Sequence, residues 1–150
     1  MQLTGKHELN AVPERIWDML LDADTLASII PGVSRLEKTG ESTFNSFLEI
    51  KIGPVSGSFT GNLQLEDINE KKEFTLKVQQ NSKIGNANAV IKIVLVRLND
   101  KQTEVSFDGN VKLSGLLASM GQRILGGVAN MLTQQFFSNL EKEIEKTPVV

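Results

Sequence analysis

Between Val55 and Glu66 the chain alternates without a break. Val55, Gly57, Phe59, Gly61, Leu63 and Leu65 hold one parity, and Ser56, Ser58, Thr60, Asn62, Gln64 and Glu66 hold the other. Successive side chains of an extended strand point to opposite faces, so this pattern sets one face against an interior and the other in water. A helix would scatter the same residues around its circumference. The middle of the chain is thereby committed to half-buried sheet. On the N-terminal side, Phe44, Ser46, Leu48, Ile50 and Ile52 alternate with Asn45, Phe47, Glu49 and Lys51, and Gly53-Pro54 makes a turn. On the C-terminal side, Asn69-Glu70-Lys71 breaks the run, and Phe74, Leu76 and Val78 resume it. A further strand is expected from Asn88 to Leu98. Asn99-Asp100-Lys101 then turns the chain, and Val105, Phe107, Val111 and Leu113 close the series. Strands joined by short polar turns pair antiparallel, so Val33–Leu113 reads as a meander.

The flanks carry other periods. Gln2–Leu9 is strand-like with a mixed pattern. Asn10-Ala11-Val12-Pro13-Glu14-Arg15 resembles a helix start, because Pro13 lacks an N–H that the first turn does not need and Glu14 suits the positive end of the dipole. Ile16, Trp17, Leu20 and Leu21 follow at helical spacing, and a second short helix is expected over Asp24–Ile29 until Pro31-Gly32 stops it. In the last third, Leu117, Met120, Ile124, Val128 and Met131 fall within about 60° of one meridian of a helical wheel. Phe136, Leu140 and Ile144 drift off that line. One helix of roughly 30 residues, about 45 Å long, is expected to lie across the sheet. The fold class is therefore α+β, with a curved antiparallel sheet of about seven strands wrapped around a long C-terminal helix and two short helices after the first strand.

Composition narrows the function. The 150 residues suit a single domain spanning 1–150, with no repeat or low-complexity linker. A net charge of −2 and scattered basic residues argue against nucleic acid. The absence of cysteine excludes disulfides, zinc–thiolate sites and thiol nucleophiles, and His7 is the single histidine, so neither a metal site nor a cofactor is expected. Met1–Glu8 has no apolar stretch of the signal-peptide kind, and no segment reaches the roughly 18 apolar residues of a membrane span. A soluble, cytoplasmic protein is the expectation.

Two features do not suit a plain core. Gly57 and Gly61 share the inward parity of the best strand, and Gly121, Gly126 and Gly127 stand in the helical region, where each costs about 1 kcal/mol against alanine. Two readings stand. The glycines leave volume for an apolar ligand, lined by Leu48, Ile50, Gly57, Phe59, Gly61, Leu63, Phe107, Leu117, Met120, Gly121 and Ile124, or they serve curvature and close backbone contact. The second feature is a strand apolar on both parities, Ile91, Ile93 and Leu95 against Val90, Val94 and Val96. One of its faces needs cover from the N-terminal helices, a second copy of the chain or a membrane surface. Phe47 and the Ile91/Ile93/Leu95 stripe are the surface on which a homodimer would rest.

Catalytic signals are weak, and no catalytic residue is assigned. His7 has no nucleophile at a motif spacing and reads as solvated. Asp22 and Asp24 read as capping residues and Glu66-Asp67 as turn residues. Gly121–Gly126 lies in a helical run with no strand before it, which removes it as a phosphate loop, and Gln122 and Arg123 are expected to face outward. Ser46, Gln80 and Lys92 are the polar candidates for the interior.

The order of elements is similar to the helix-grip arrangement of the START-like (SRPBCC) superfamily. More narrowly, the chain resembles the G-subunit family of carbon monoxide dehydrogenase. The likeness is carried by Ala11–Trp17, Ile30-Pro31-Gly32-Val33, Leu36-Glu37-Lys38, Lys51–Val55, Phe59-Thr60-Gly61, Gly115–Arg123 and Gln135-Phe136-Phe137. It implies a hydrophobic tunnel between sheet and long helix, with a lipid or quinone as cargo. It also implies a link to molybdenum hydroxylases, which family members help to place at the membrane. Some relatives continue into an apolar membrane tail, whereas this chain stops at Thr147-Pro148-Val149-Val150. A built-in anchor is therefore not expected, and membrane contact would be peripheral, at the inner face. Three functions follow: a carrier of a small hydrophobic ligand, an accessory protein recruiting a hydroxylase-type enzyme to the membrane, and an enzyme of the cyclase or hydratase kind. The third needs an acid–base pair inside the tunnel, and the chain is expected not to be an enzyme.

Overall fold

The computed structural model describes residues 1–146. The expectation drawn from the ending at Thr147-Pro148-Val149-Val150 lies outside the described residues. Strand β1 (Gln2–Leu9) leads to helices α1 (Pro13–Leu21) and α2 (Ala23–Ile29). Strands β2 (Val33–Lys38), β3 (Thr43–Ile52), β4 (Val55–Asn69), β5 (Glu73–Ser82), β6 (Gly85–Asn99) and β7 (Gln102–Leu113) follow, and α3 (Gly115–Ser119) and α4 (Gln122–Lys146) end the described chain. The seven strands form one antiparallel sheet in the order β1-β7-β6-β5-β4-β3-β2. The meander runs from β2 to β7, and β1 joins its far edge, so α1 and α2 carry the chain from one edge of the sheet to the other.

Local chemistry accounts for the joints. Pro13 occupies the first turn of α1, whose Ile16, Trp17 and Leu20 are buried. Asp22 caps α2, its Oδ2 accepting from the Thr25 N–H at 3.0 Å and from the Thr25 hydroxyl at 2.7 Å. Gly53, at φ 53°, turns β3 directly into β4, where Ile52 faces Val55. One cross-strand row, Ser46–Gly61–Gln80–Ala87–Leu113, runs through β3, β4, β5, β6 and β7. Cross-strand partners share a face, so all five project to the inner side.

Two expectations change here. The C-terminal helix is not continuous: Gly121, at φ 83°, separates α3 from the 25-residue α4. A left-handed residue cannot continue a right-handed helix, and glycine enters that region without the penalty of a Cβ. The parity of β6 is also reversed from the one a dimer surface would need. Ile91 faces Leu76 and Ile93 faces Phe74, so the Ile91/Ile93/Leu95 stripe turns inward. Val90 and Val96 are the outward, exposed set, and Lys92 on that side pairs with Glu73 at 3.6 Å. Outward Phe47 is covered by the Arg35 guanidinium, 4.1 Å from its ring centroid.

The apolar interior has two parts. The larger gathers Trp17, Phe44, Phe74, Leu95, Phe137 and Leu140 beneath α1, α2 and the C-terminal half of α4. The smaller joins Ile50, Val55 and Phe59 to Leu117, Leu125 and Val128 around the α3–α4 joint.

Candidate functional site

The backbone of α4 comes close chiefly to α2 and β1, not to the central strands. Side chains must therefore bridge the space between α4 and the middle of the sheet, and they do not fill it. A cavity of about 350 Å³ remains. Strand β3 lines it with Phe44, Ser46, Leu48 and Ile50, and β4 with Leu63 and Leu65. From β5 come Phe74, Leu76, Val78 and Gln80, and from β6 and β7 come Ile91, Ile93, Val105 and Phe107. Leu20, Leu26, Ile30 and Pro31 close one end from the N-terminal helices, while Leu132, Thr133, Phe136, Phe137 and Leu140 of α4 close the top. No lining residue is ionisable. A charged group inside would meet no partner and would bear its desolvation cost unrelieved.

The polar lining is small. Gln80 Nε2 donates to Ser46 Oγ at 2.7 Å, and both residues are buried. Gly61 stands between them in the row, and its missing side chain lets the amide cross β4. The Thr133 hydroxyl donates to the Ala129 carbonyl oxygen at 2.8 Å, one helical turn back.

The positions expected around a ligand divide into four groups. Leu48, Ile50, Leu63 and Phe107 line the cavity. Phe59 and Leu117 are buried in the smaller cluster, with Met120 packed against it, beside the cavity instead of in its wall. Ile124 is exposed, contrary to its place on the helical wheel, because the break at Gly121 resets the phase of everything after it. The glycines do not make the hollow. A Cβ at Gly61 would fall 1.7 Å from the Gln79 carbonyl oxygen, so this glycine serves close approach of β4 to β5. Gly57 and Gly121 have open space where a Cβ would stand but are not among the cavity-lining residues. The stand-off of α4 from the sheet makes the cavity, a separation that inward side-chain size alone does not reveal.

His7 keeps about a third of its side chain exposed, in line with the solvated reading, but it is also packed. It holds the inner parity of β1, opposite Val105, and its ring stacks on Phe137 with centroids 4.5 Å apart. Its Nε2 lies 2.5 Å from Glu141 Oε1. The pair ties β1 to α4 beside a smaller cleft that shares Phe107, Thr133 and Phe137 with the cavity. A Cβ at Gly5 would sit 2.6 Å from Phe107 Cζ, so glycine there lets the ring lie flat on β1. Sequence reasoning missed Phe136 and Phe137 as lining residues. Their signal was the drift of apolar positions around the last helix, which marks a second contact surface.

Among the described residues no helix is long and apolar enough to cross a membrane. No curated protein matches the chain by sequence. Among solved structures, a conserved protein from Geobacillus kaustophilus is 33% identical, with a TM-score of 0.94 over 97% of this chain and 96% of that one. A START superfamily protein from Mycobacterium smegmatis shares the fold at 15% identity, with a TM-score of 0.74 over 97% of each chain. The Zhui aromatase/cyclase from Streptomyces sp. R1128 shares it at 13% identity, with a TM-score of 0.71 over 97% of this chain and 94% of that one. The model of the CoxG family, the G-subunit family of carbon monoxide dehydrogenase, matches residues 5–145. With that match over nearly its whole length, and the helix-grip fold that frames the cavity, the chain belongs to the carbon monoxide dehydrogenase CoxG family.

Proposed function

We propose that this protein binds a small hydrophobic ligand, lipid- or quinone-like, in the cavity between the sheet and α4, as an accessory protein to a carbon monoxide dehydrogenase-type enzyme. The observation that carries the reading is a cavity of about 350 Å³ walled almost wholly by Leu, Ile, Val and Phe side chains. Such a space holds apolar guests and repels charged ones. The lining offers Ser46, Gln80 and Thr133 as its polar side chains, none of which exchanges a proton near neutral pH. That composition supports holding a ligand over general acid–base chemistry. Uptake of a neutral fluorescent naphthylamine by the purified protein tests the reading. Val78→Trp, which projects a large ring into the cavity, is expected to abolish uptake while the fold is retained by circular dichroism. A wild-type protein that takes up no apolar probe sinks the proposal.

A second reading, recruitment of a molybdenum hydroxylase-type enzyme to the inner membrane face without ligand transport, draws on one observation. Leu116, Ile124 and Met131 are exposed apolar residues of α3 and α4, and Ile124 and Met131, seven residues apart, share one face of α4. Co-sedimentation with lipid vesicles that Ile124→Glu does not weaken counts against it.

A further inference from the structure

Among the described residues, one buried side-chain polar atom has no hydrogen-bond partner: Gln80 Oε1. Buried polar groups are paired in the great majority of cases, and an orphan carries an unrelieved desolvation cost. This one belongs to a residue of the cavity wall. Its amide nitrogen is engaged by Ser46 Oγ, and that hydroxyl, accepting from Gln80, keeps its own hydrogen free to donate. The pair therefore presents one acceptor and one donor side by side in an otherwise apolar wall. Exchange of the amide oxygen and nitrogen leaves the same deficit. In the exchanged orientation Ser46 donates to the amide oxygen and the nitrogen is left over, so one amide atom lacks a partner either way.

We infer that the Gln80–Ser46 pair is a polar subsite selecting neutral ligands that carry a hydroxyl group. The inference rests on the cavity being a ligand site. A hydroxyl both donates and accepts, so it completes the pair in either amide orientation. An ether or ester oxygen only accepts: it leaves Oε1 unpaired as the amide stands and is paired only once the amide has turned over to offer its nitrogen. A carboxylate brings a charge that no lining residue neutralises. Oε1 is itself fully buried, so reaching a hydroxyl requires the soft terminal torsion of the amide to turn and the incoming hydroxyl to replace the bond that Nε2 gives up to Ser46. Gly61 stands between the two partners in the cross-strand row, where the close approach of β4 to β5 leaves no room for a side chain.

Three probes of one chain length test this: dodecanol, its methyl ether and dodecanoate, each titrated against the naphthylamine-loaded protein. Dodecanol is expected to displace the dye about tenfold better than the ether, with dodecanoate weakest. In Gln80→Leu the preference for the alcohol over the ether is expected to vanish while both still bind. This variant removes the unpaired Oε1 but leaves the buried Ser46 hydroxyl without its partner, so a modest fall in its thermal midpoint is expected, which Ser46→Ala in the same chain should restore. Equal affinity of alcohol and ether in the wild type, or an unchanged preference in Gln80→Leu, overturns the subsite while leaving the carrier reading intact. Failure of all three probes and of the dye overturns both.

Discussion

Gly61 and Gly127 make opposite predictions from the same substitution. A Cβ added at Gly61 would lie 1.7 Å from the Gln79 carbonyl oxygen and 2.7 Å from its carbon, where ordinary contact begins at 3.4 Å. Both atoms are backbone in the adjacent strand, so no side-chain rotation relieves the clash. β4 and β5 must move apart by more than about 1 Å from a spacing that pairing holds near 4.8 Å, next to the first pair of a ladder from Thr60–Asn81 to Glu66–Thr75. Losing about two ladder hydrogen bonds and the packing over them costs about 3 kcal/mol. At Gly127, in the interior of α4, a Cβ meets nothing within 4 Å. Alanine there gains about 1 kcal/mol of helix propensity. For a chain of this size each kcal/mol shifts the thermal midpoint by about 2–4 °C. Gly61→Ala should thus melt about 6–12 °C lower and Gly127→Ala about 2–4 °C higher, read by circular dichroism at fixed pH and concentration. If Gly61→Ala melts with the wild type, the close approach of β4 to β5 is not what requires glycine there, and the role given to that residue fails.

Two further predictions concern the link from β1 to α4 and the cap of α2. His7→Ala removes the link from β1 to Glu141 and the stacking on Phe137; because the pair is half-exposed, the loss should be about 0.5–1 kcal/mol, accompanied by faster dye release in stopped-flow. Release at the wild-type rate would show that the link does not hold α4 to the sheet. At Asp22, hydrogen bonds from the Thr25 hydroxyl and then the Thr25 backbone N–H hold the carboxyl below its ordinary value of 3.8. A depressed carboxylate stabilises the fold above its unfolded pKa, and that contribution is lost as pH falls below about 4 through the folded value. Asp22→Ala should cost about 1 kcal/mol at neutral pH, and its deficit against wild type should shrink in acid melts; a deficit unchanged at low pH would refute the cap as its source.

Much of the fold was legible from period alone. The alternation from Phe44 to Leu65 defines β3, β4 and their inner face, since a one-residue slip would turn every Leu and Phe of that face into water. Pro13 and Asp22 mark the helix boundaries because their chemistry is local: a missing N–H and a short side-chain acceptor. Leu48, Ile50, Leu63 and Phe107 were legible as wall residues for the same reason as the strands, by parity.

What the sequence determined by itself is therefore whatever depends on neighbours along the chain: strand faces, turns and helix starts. Tertiary structure decided which parity of β6 turns inward, because both are apolar and only pairing with Phe74 and Leu76 chooses between them. It decided that Ile124 faces water, through a left-handed Gly121 that breaks the helical phase. It brought His7 to Glu141 across 134 positions and Gln80 to Ser46 across 34. The cavity belongs to the same class. It arises from the distance between α4 and the sheet, which is set by how the two ends of the interior pack, and no single stretch of chain encodes a distance between two others.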